Sequence, residues 1–165
     1  MTTTARLALP LIEPGQAQKE MTHNEALTLV DVALQATVVA VGVDQPPAQP
    51  LPGQSWIVGR APTGAWTGQA DALASWTAGG WRFVSAREGM TVWTLQDVVT
   101  ARFVGGRWES GQVRGDTLRL AGAQVVGRRR EAIAMPGGGT TIDVEARGAI
   151  AAILGALRGH GLIDQ

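Results

Sequence analysis

All six tryptophans of this 165-residue chain fall between Trp56 and Trp108, in a stretch punctuated by glycine. Turns are signalled at Gly53, Gly59, Gly64, Gly68, Gly79-Gly80, Gly89 and Gly105-Gly106. Glycine accepts the positive φ that tight turns require, so the chain can reverse at each of these points. Between them lie short stretches rich in β-branched and aromatic residues: SWIVG, WRFVSA, MTVWTL and VVTARFV. Stretches of that length and composition predict strands joined by close turns, as in a meander or a small barrel. Trp56, Trp66 and Trp76 stand ten residues apart, the spacing of a hairpin-scale repeat. The chain has no tyrosine, and both of its phenylalanines, Phe83 and Phe103, lie in the same window.

Four prolines, Pro46, Pro47, Pro50 and Pro52, precede this module. Proline fixes φ and pushes its predecessor toward extended backbone, so neither a helix nor a central strand is expected to run through them. The chain then divides into an N-terminal strand and helix (1–45), a Pro-rich linker (46–52), a Trp-rich β module (53–111), and strands plus a C-terminal helix (112–165). In the first part, Ala5 to Leu11 suggests a short strand, and Thr22 with Glu25 forms a capping-box pattern that predicts a helix start. Apolar residues follow at Leu27, Val30, Leu34 and Val41, and the β-branched run Thr37-Val38-Val39 ends the helix or opens a strand. In the last part, Thr117 to Val126 alternates enough for one or two strands. A helix is predicted from about Asp143 to Arg158, with Ala146, Ile150, Ile153 and Leu157 in the four-three-four spacing of a heptad seam. Gly159 and Gly161 end it. The fold class is α+β, with a helix at each end of an antiparallel module.

Composition narrows the function classes. Apolar residues are 45% and charged residues 17%, which fits a folded chain that buries roughly 70% of its unfolded surface. Fourteen Lys and Arg balance fourteen Asp and Glu, so no general attraction to nucleic acid or anionic membrane is expected. With no cysteine there is no disulfide, thiolate metal site or Cys nucleophile. No apolar run approaches the roughly 18 residues of a membrane span, and MTTTARLALPLIEPG has none of the marks of a signal peptide. Nucleophile-elbow, zincin, EF-hand and phosphate-loop patterns do not occur, so no catalytic residue, metal or cofactor is assigned. His23 and His160 lie near opposite ends of the chain and read as surface residues.

Several groups keep both a binding and a structural reading. Gly137-Gly138-Gly139-Thr140-Thr141 suits an anion on backbone N–H groups or a tight turn. Asp143 and Glu145 form a carboxylate pair, and they also suit the positive end of a helix. Arg128-Arg129-Arg130 closes a stretch from 102 to 130 with seven arginines and two acids; an anion-binding face and a solvated strand edge both account for it. Trp56, Trp66, Trp76, Trp81, Trp93 and Trp108 are candidate carbohydrate or partner contacts, because indoles stack on sugar faces; filling a small core is the alternative. Two helices with apolar stripes and little core of their own point toward association of copies of the chain.

The segment LPLIEPGQAQKE, followed by THNEAL, resembles the signature of an uncharacterised phage-associated domain family found in alphaproteobacterial prophages and gene transfer agents. Its pattern continues here through Gly53 to Gly59, Thr63 to Gly68, Gly79 to Phe83, Glu88-Gly89, Gly105 to Trp108, and the C-terminal stretches 138–147 and 157–163. The resemblance implies a virion structural protein: a head-spike or fibre component of a gene transfer agent or tailed phage, made in the bacterial cytoplasm. It implies a homo-oligomer, trimer or pentamer, mounted on capsid or on a longer fibre. Host adhesion, in some cases through capsular polysaccharide, is the expected role, with no nucleic-acid partner and no membrane insertion. It carries no catalytic residues. Gln16, Gln18, Lys19 and Asn24 are then candidates for a surface facing the particle or a partner.

Overall fold

The computed structural model describes residues 2–12, 19–138, 140 and 143–164; of Lys19 it describes the backbone alone. The fold is α+β, in two units, Met1–Gln112 and Val113–Gln165. Pro46 to Pro52 lies inside the first of them.

The first unit begins with α1 (Lys19–Ala33) and continues through β1 (Thr37–Val38), β2 (Val41–Val43), β3 (Ser55–Val58), β4 (Leu73–Thr77), β5 (Gly80–Val84), β6 (Thr91–Thr94), β7 (Val99–Val104) and β8 (Arg107–Ser110). A 3-10 turn, Gly64–Trp66, sits between β3 and β4. These strands make two four-stranded sheets, ordered β2-β3-β4-β5 and β1-β6-β7-β8. The glycine-punctuated strands pair as two antiparallel meanders, β3-β4-β5 and β6-β7-β8. The run starting at Thr37 adds a short parallel strand to each: β1 beside β6, and β2 beside β3.

Burial follows from that arrangement. Val38, Ile57, Leu73, Val92 and Ala101 come from both sheets and form one core, joined by Val32 of α1 and Ala36. Trp56, Val58 and Ala74 lie on the opposite face of β3 and β4, in a second core with Ala40 and Trp66. Strand β3 is therefore buried on both faces, which explains its unbroken Ser-Trp-Ile-Val sequence.

Residues 2–12 form a loop closed by the Thr3–Pro10 bridge, in place of the strand expected over Ala5 to Leu11. A reciprocal clasp fixes it. The buried Asp31 carboxylate accepts from Thr4 Oγ1 at 2.9 Å, Arg6 N at 3.0 Å and Leu7 N at 2.6 Å. The Arg6 guanidinium donates to the carbonyls of Asp31, Val32, Leu34 and Gln35 at the end of α1. Those carbonyls lack partners within the helix, and a cation there also suits the negative end of its dipole. Thr22 and Glu25 stand within α1 and do not cap its start, because the helix already runs from Lys19; Glu25 instead pairs with Arg82 of β5.

The second unit holds β9 (Leu118–Leu120), β10 (Ala123–Val126) and α2 (Val144–Gly159). The hairpin turns at Ala121-Gly122, both at positive φ, as a two-residue turn between antiparallel strands demands. Asp143 caps α2, its side chain accepting from Ala146 N at 2.8 Å.

The clasp makes a stability prediction. Asp31→Ala leaves three donors of the N-terminal loop, the buried Thr4 hydroxyl among them, without their acceptor and should cost about 2–4 kcal/mol. Urea unfolding followed by tryptophan emission measures it, and an unchanged midpoint would refute the clasp.

Candidate functional site

The tryptophans are not equivalent. Trp56, Trp76 and Trp81 project from one face of β3, β4 and β5, as their register requires. Trp66 comes from the 3-10 turn, so the ten-residue spacing is not a hairpin repeat. Trp81 is the hub, its ring 5.7 Å from Trp56, 5.1 Å from Trp66 and 5.0 Å from Trp76, each in an edge-to-face arrangement. Such contacts add to the burial of the rings themselves. Trp66 is fully buried, and its indole N–H has no hydrogen-bond partner among the described residues. The local sequence explains how it is delivered. A Cβ at Gly59 would overlap the Asp44 carboxylate, which accepts from Ala61 N. The Asp44 carbonyl accepts from Thr63 N, and Gly64 turns the chain at positive φ.

Trp108 packs edge-on to Phe103 at 5.5 Å and donates its N–H to the Asp71 carbonyl at 2.8 Å. These five rings are wholly or partly buried, whereas Trp93 is 43% exposed. Strand β6 alternates exposed and buried, placing Trp93 on its open face. Thr37 and Thr100 flank it across the neighbouring strands, and the Thr91–Arg102 pair is on the same face. Aromatic ring, hydroxyls and guanidinium thus share one exposed sheet face.

Trp76 lines a cleft of about 370 Å³, with Thr4, Asp31, Ser75, Thr77 and Arg82 among its walls. Its acid among the described residues, Asp31, holds the N-terminal loop. Its arginine, Arg82, is held from outside the cleft by Glu25, both oxygens of which accept from Arg82 Nε, at 2.7 and 3.0 Å. Ser75 Oγ is bonded to Ser55 Oγ at 3.0 Å. The cleft offers an aromatic ring, hydroxyls and a guanidinium, groups that bind; its carboxylate, Asp31, is occupied by structural partners, which disfavours proton transfer. No group of three metal-ligating side chains comes together among the described residues.

The remaining sequence candidates fall as follows. Gln16 and Gln18 lie outside the described residues, as does part of the 137–141 loop. Lys19 is the first residue of α1. Asn24 clasps the backbone of Ile12, accepting from its N–H and donating to its carbonyl, both at 2.9 Å. Asp31, Arg6 and Arg82 were not singled out from sequence. A lone carboxylate among Leu29, Val30 and Val32 is the signal that marks Asp31; nothing local marks the two arginines.

A family model described as "Protein of unknown function (DUF2793)" matches residues 23–109, which include most of α1, both sheets but for the last residue of β8, and every tryptophan. No curated protein matches the chain.

The two kinds of tryptophan should separate on substitution. Trp66→Ala should cost about 3–5 kcal/mol, and Trp93→Ala less than about 0.5 kcal/mol. Urea midpoints of the two variants test this, and equal losses would contradict the division into buried cluster and open face.

Proposed function

We propose that this chain, which belongs to the DUF2793 family of unknown function, is a self-assembling structural component of a phage-like particle: the base of a head spike or fibre that takes part in attachment to the host cell. One observation carries the self-assembly. The second unit leaves most of its apolar residues uncovered. Among its described residues only Leu154 and Ile163 are buried hydrophobics. Ala146, Ile150 and Ile153 of the heptad seam are exposed, Ile153 at 59%. In the β9-β10 hairpin, Leu120 is likewise 59% exposed, and Leu118 and Val126 are exposed and paired across the strands.

A two-stranded hairpin is marginal in water, and a unit this small rarely supplies a sufficient core. A seam with heptad spacing is self-complementary, since one copy offers knobs to the holes of another. Copies of the same chain are therefore the natural cover. Residence in the particle, synthesis in the bacterial cytoplasm, contact with capsid or a longer fibre, and a trimeric or pentameric count come from the phage-type signature of the sequence. They stand as parts of the proposal.

A second reading is a carbohydrate-binding module for capsular polysaccharide. The exposed Trp93 face and the Trp76 cleft favour it, and it is compatible with the first. A polysaccharide-degrading enzyme is favoured less, because Asp31 and Glu25 already have strong partners.

Light scattering behind a sizing column tests the first reading. The expected mass is a discrete multiple of 17.3 kDa. Ile150→Glu with Ile153→Glu should reduce it to the monomer while leaving tryptophan emission unchanged. A wild-type monomer at all concentrations would overturn self-assembly. For the second reading, capsular polysaccharide should shift tryptophan emission, and Trp76→Ala and Trp93→Ala together should abolish the shift; no shift with the wild type refutes it.

A further inference from the structure

We infer that the second unit carries a binding site for a phosphate dianion, in the cleft formed by Arg128, Arg129 and Arg130. The cleft measures about 410 Å³, and the three arginines, Gln124, Gly127 and Leu162 are among its walls. Consecutive residues of a regular strand point alternately to opposite faces. Here the chain leaves β10 at Val126 and bends at Arg128, so three successive arginines border one space.

Its wall is held from behind. The backbone of Arg130 is zipped to the C-terminal segment: its N–H donates to the Leu162 carbonyl at 3.0 Å, and its carbonyl accepts from Asp164 N at 2.9 Å. Ile163, opposite Arg130 in that bridge, is buried. Arg129 is oriented by the Gly161 carbonyl, 3.1 Å from its Nε, and by Asp164 Oδ1 at 3.4 Å. Among the described residues Arg128 has only Asp116, 3.9 Å away, with both side chains almost fully in solvent, a pair that contributes little. The Arg130 guanidinium has no hydrogen-bond or ion-pair partner among the described residues. Three cations thus meet two acids, and neither acid pairs with Arg130.

Gathering guanidinium groups with too few counter-charges is unfavourable until an anion joins them. The fork of an arginine matches carboxylate and phosphate alike. One guanidinium already satisfies a planar monoanionic carboxylate. Donors supplied by several arginines suit a tetrahedral, doubly charged group better. The space is also larger than a lone phosphate fills and falls in the range of small-ligand sites. A phosphate carried on a larger polar group such as a sugar fits the dimensions, and free phosphate supplies the same chemistry.

The test is calorimetric titration of the full chain at constant ionic strength, with inorganic phosphate, glucose 6-phosphate and glucose as probes. Saturable binding of at least one phosphate probe, and none of glucose, is expected. Tighter binding of glucose 6-phosphate identifies a sugar-linked phosphate as the ligand; equal or tighter binding of inorganic phosphate identifies free phosphate. Arg130→Gln should weaken binding about ten-fold or more, since a charge-assisted donor is lost. Arg128→Gln with Arg130→Gln should abolish it, with solution mass and circular dichroism unchanged. No saturation by either phosphate probe, or undiminished affinity in Arg130→Gln, would overturn the site. Neither result bears on self-assembly, which is read separately from solution mass.

Discussion

Residues 36–43 hydrogen-bond to both sheets of the first unit, and the architecture of that unit depends on this short stretch. Trp93 N donates to the Ala36 carbonyl, and Leu95 N to the Val38 carbonyl, on the side of β6. Val39 N donates to the Ser55 carbonyl, and Ile57 N to the Ala40 carbonyl, on the side of β3. Within a few residues the chain is an edge strand of one sheet and then of the other. Val38, fully buried, lies in the core where the two sheets meet. Side chains alternate across a strand, so a slip of one residue here would turn Val38 out of that core. The Arg6–Asp31 clasp acts immediately upstream. It fixes the end of α1, and with it the point from which this stretch departs.

The tryptophan cluster is the second consequence. A sheet whose first face meets another sheet still exposes its second face. Trp56, Trp76 and Trp81, with Trp66 laid over them, cover that face without another layer of secondary structure. Large rigid rings achieve this over few residues, which explains why the indoles concentrate in one segment. Trp93 and its sheet do not follow this logic. Its face is left open, with threonines and an arginine around the ring.

Local pattern made a good part of this legible. The glycine-bounded stretches became β3, β5, β6 and β7, and α2 runs within a residue of its expected limits because Asp143 and the terminal glycines mark both ends. What stayed hidden was long-range. The β1–β6 pairing joins Thr37 to Trp93, and the clasp joins Arg6 to Asp31; neither leaves a trace in the spacing of neighbouring residues. The capping-box pattern at Thr22 misled because hydroxyl and carboxylate at that spacing also occur inside a helix, where Glu25 found Arg82. The sugar-stacking reading could not be resolved residue by residue, because sequence shows that an indole is present and not which face of a sheet it occupies.

The two units differ in how their apolar surface is satisfied, and this sets what each can do. In the first, both cores close within one chain, so its stability should not depend on concentration. In the second, the seam of α2 and the face of the hairpin remain uncovered. Under the proposed self-assembly, folding and association would be linked, and the stability of that unit would rise with the concentration of its partner. An element of this kind is poorly suited to act alone and well suited to a multi-copy assembly, where every copy supplies the surface the next one lacks.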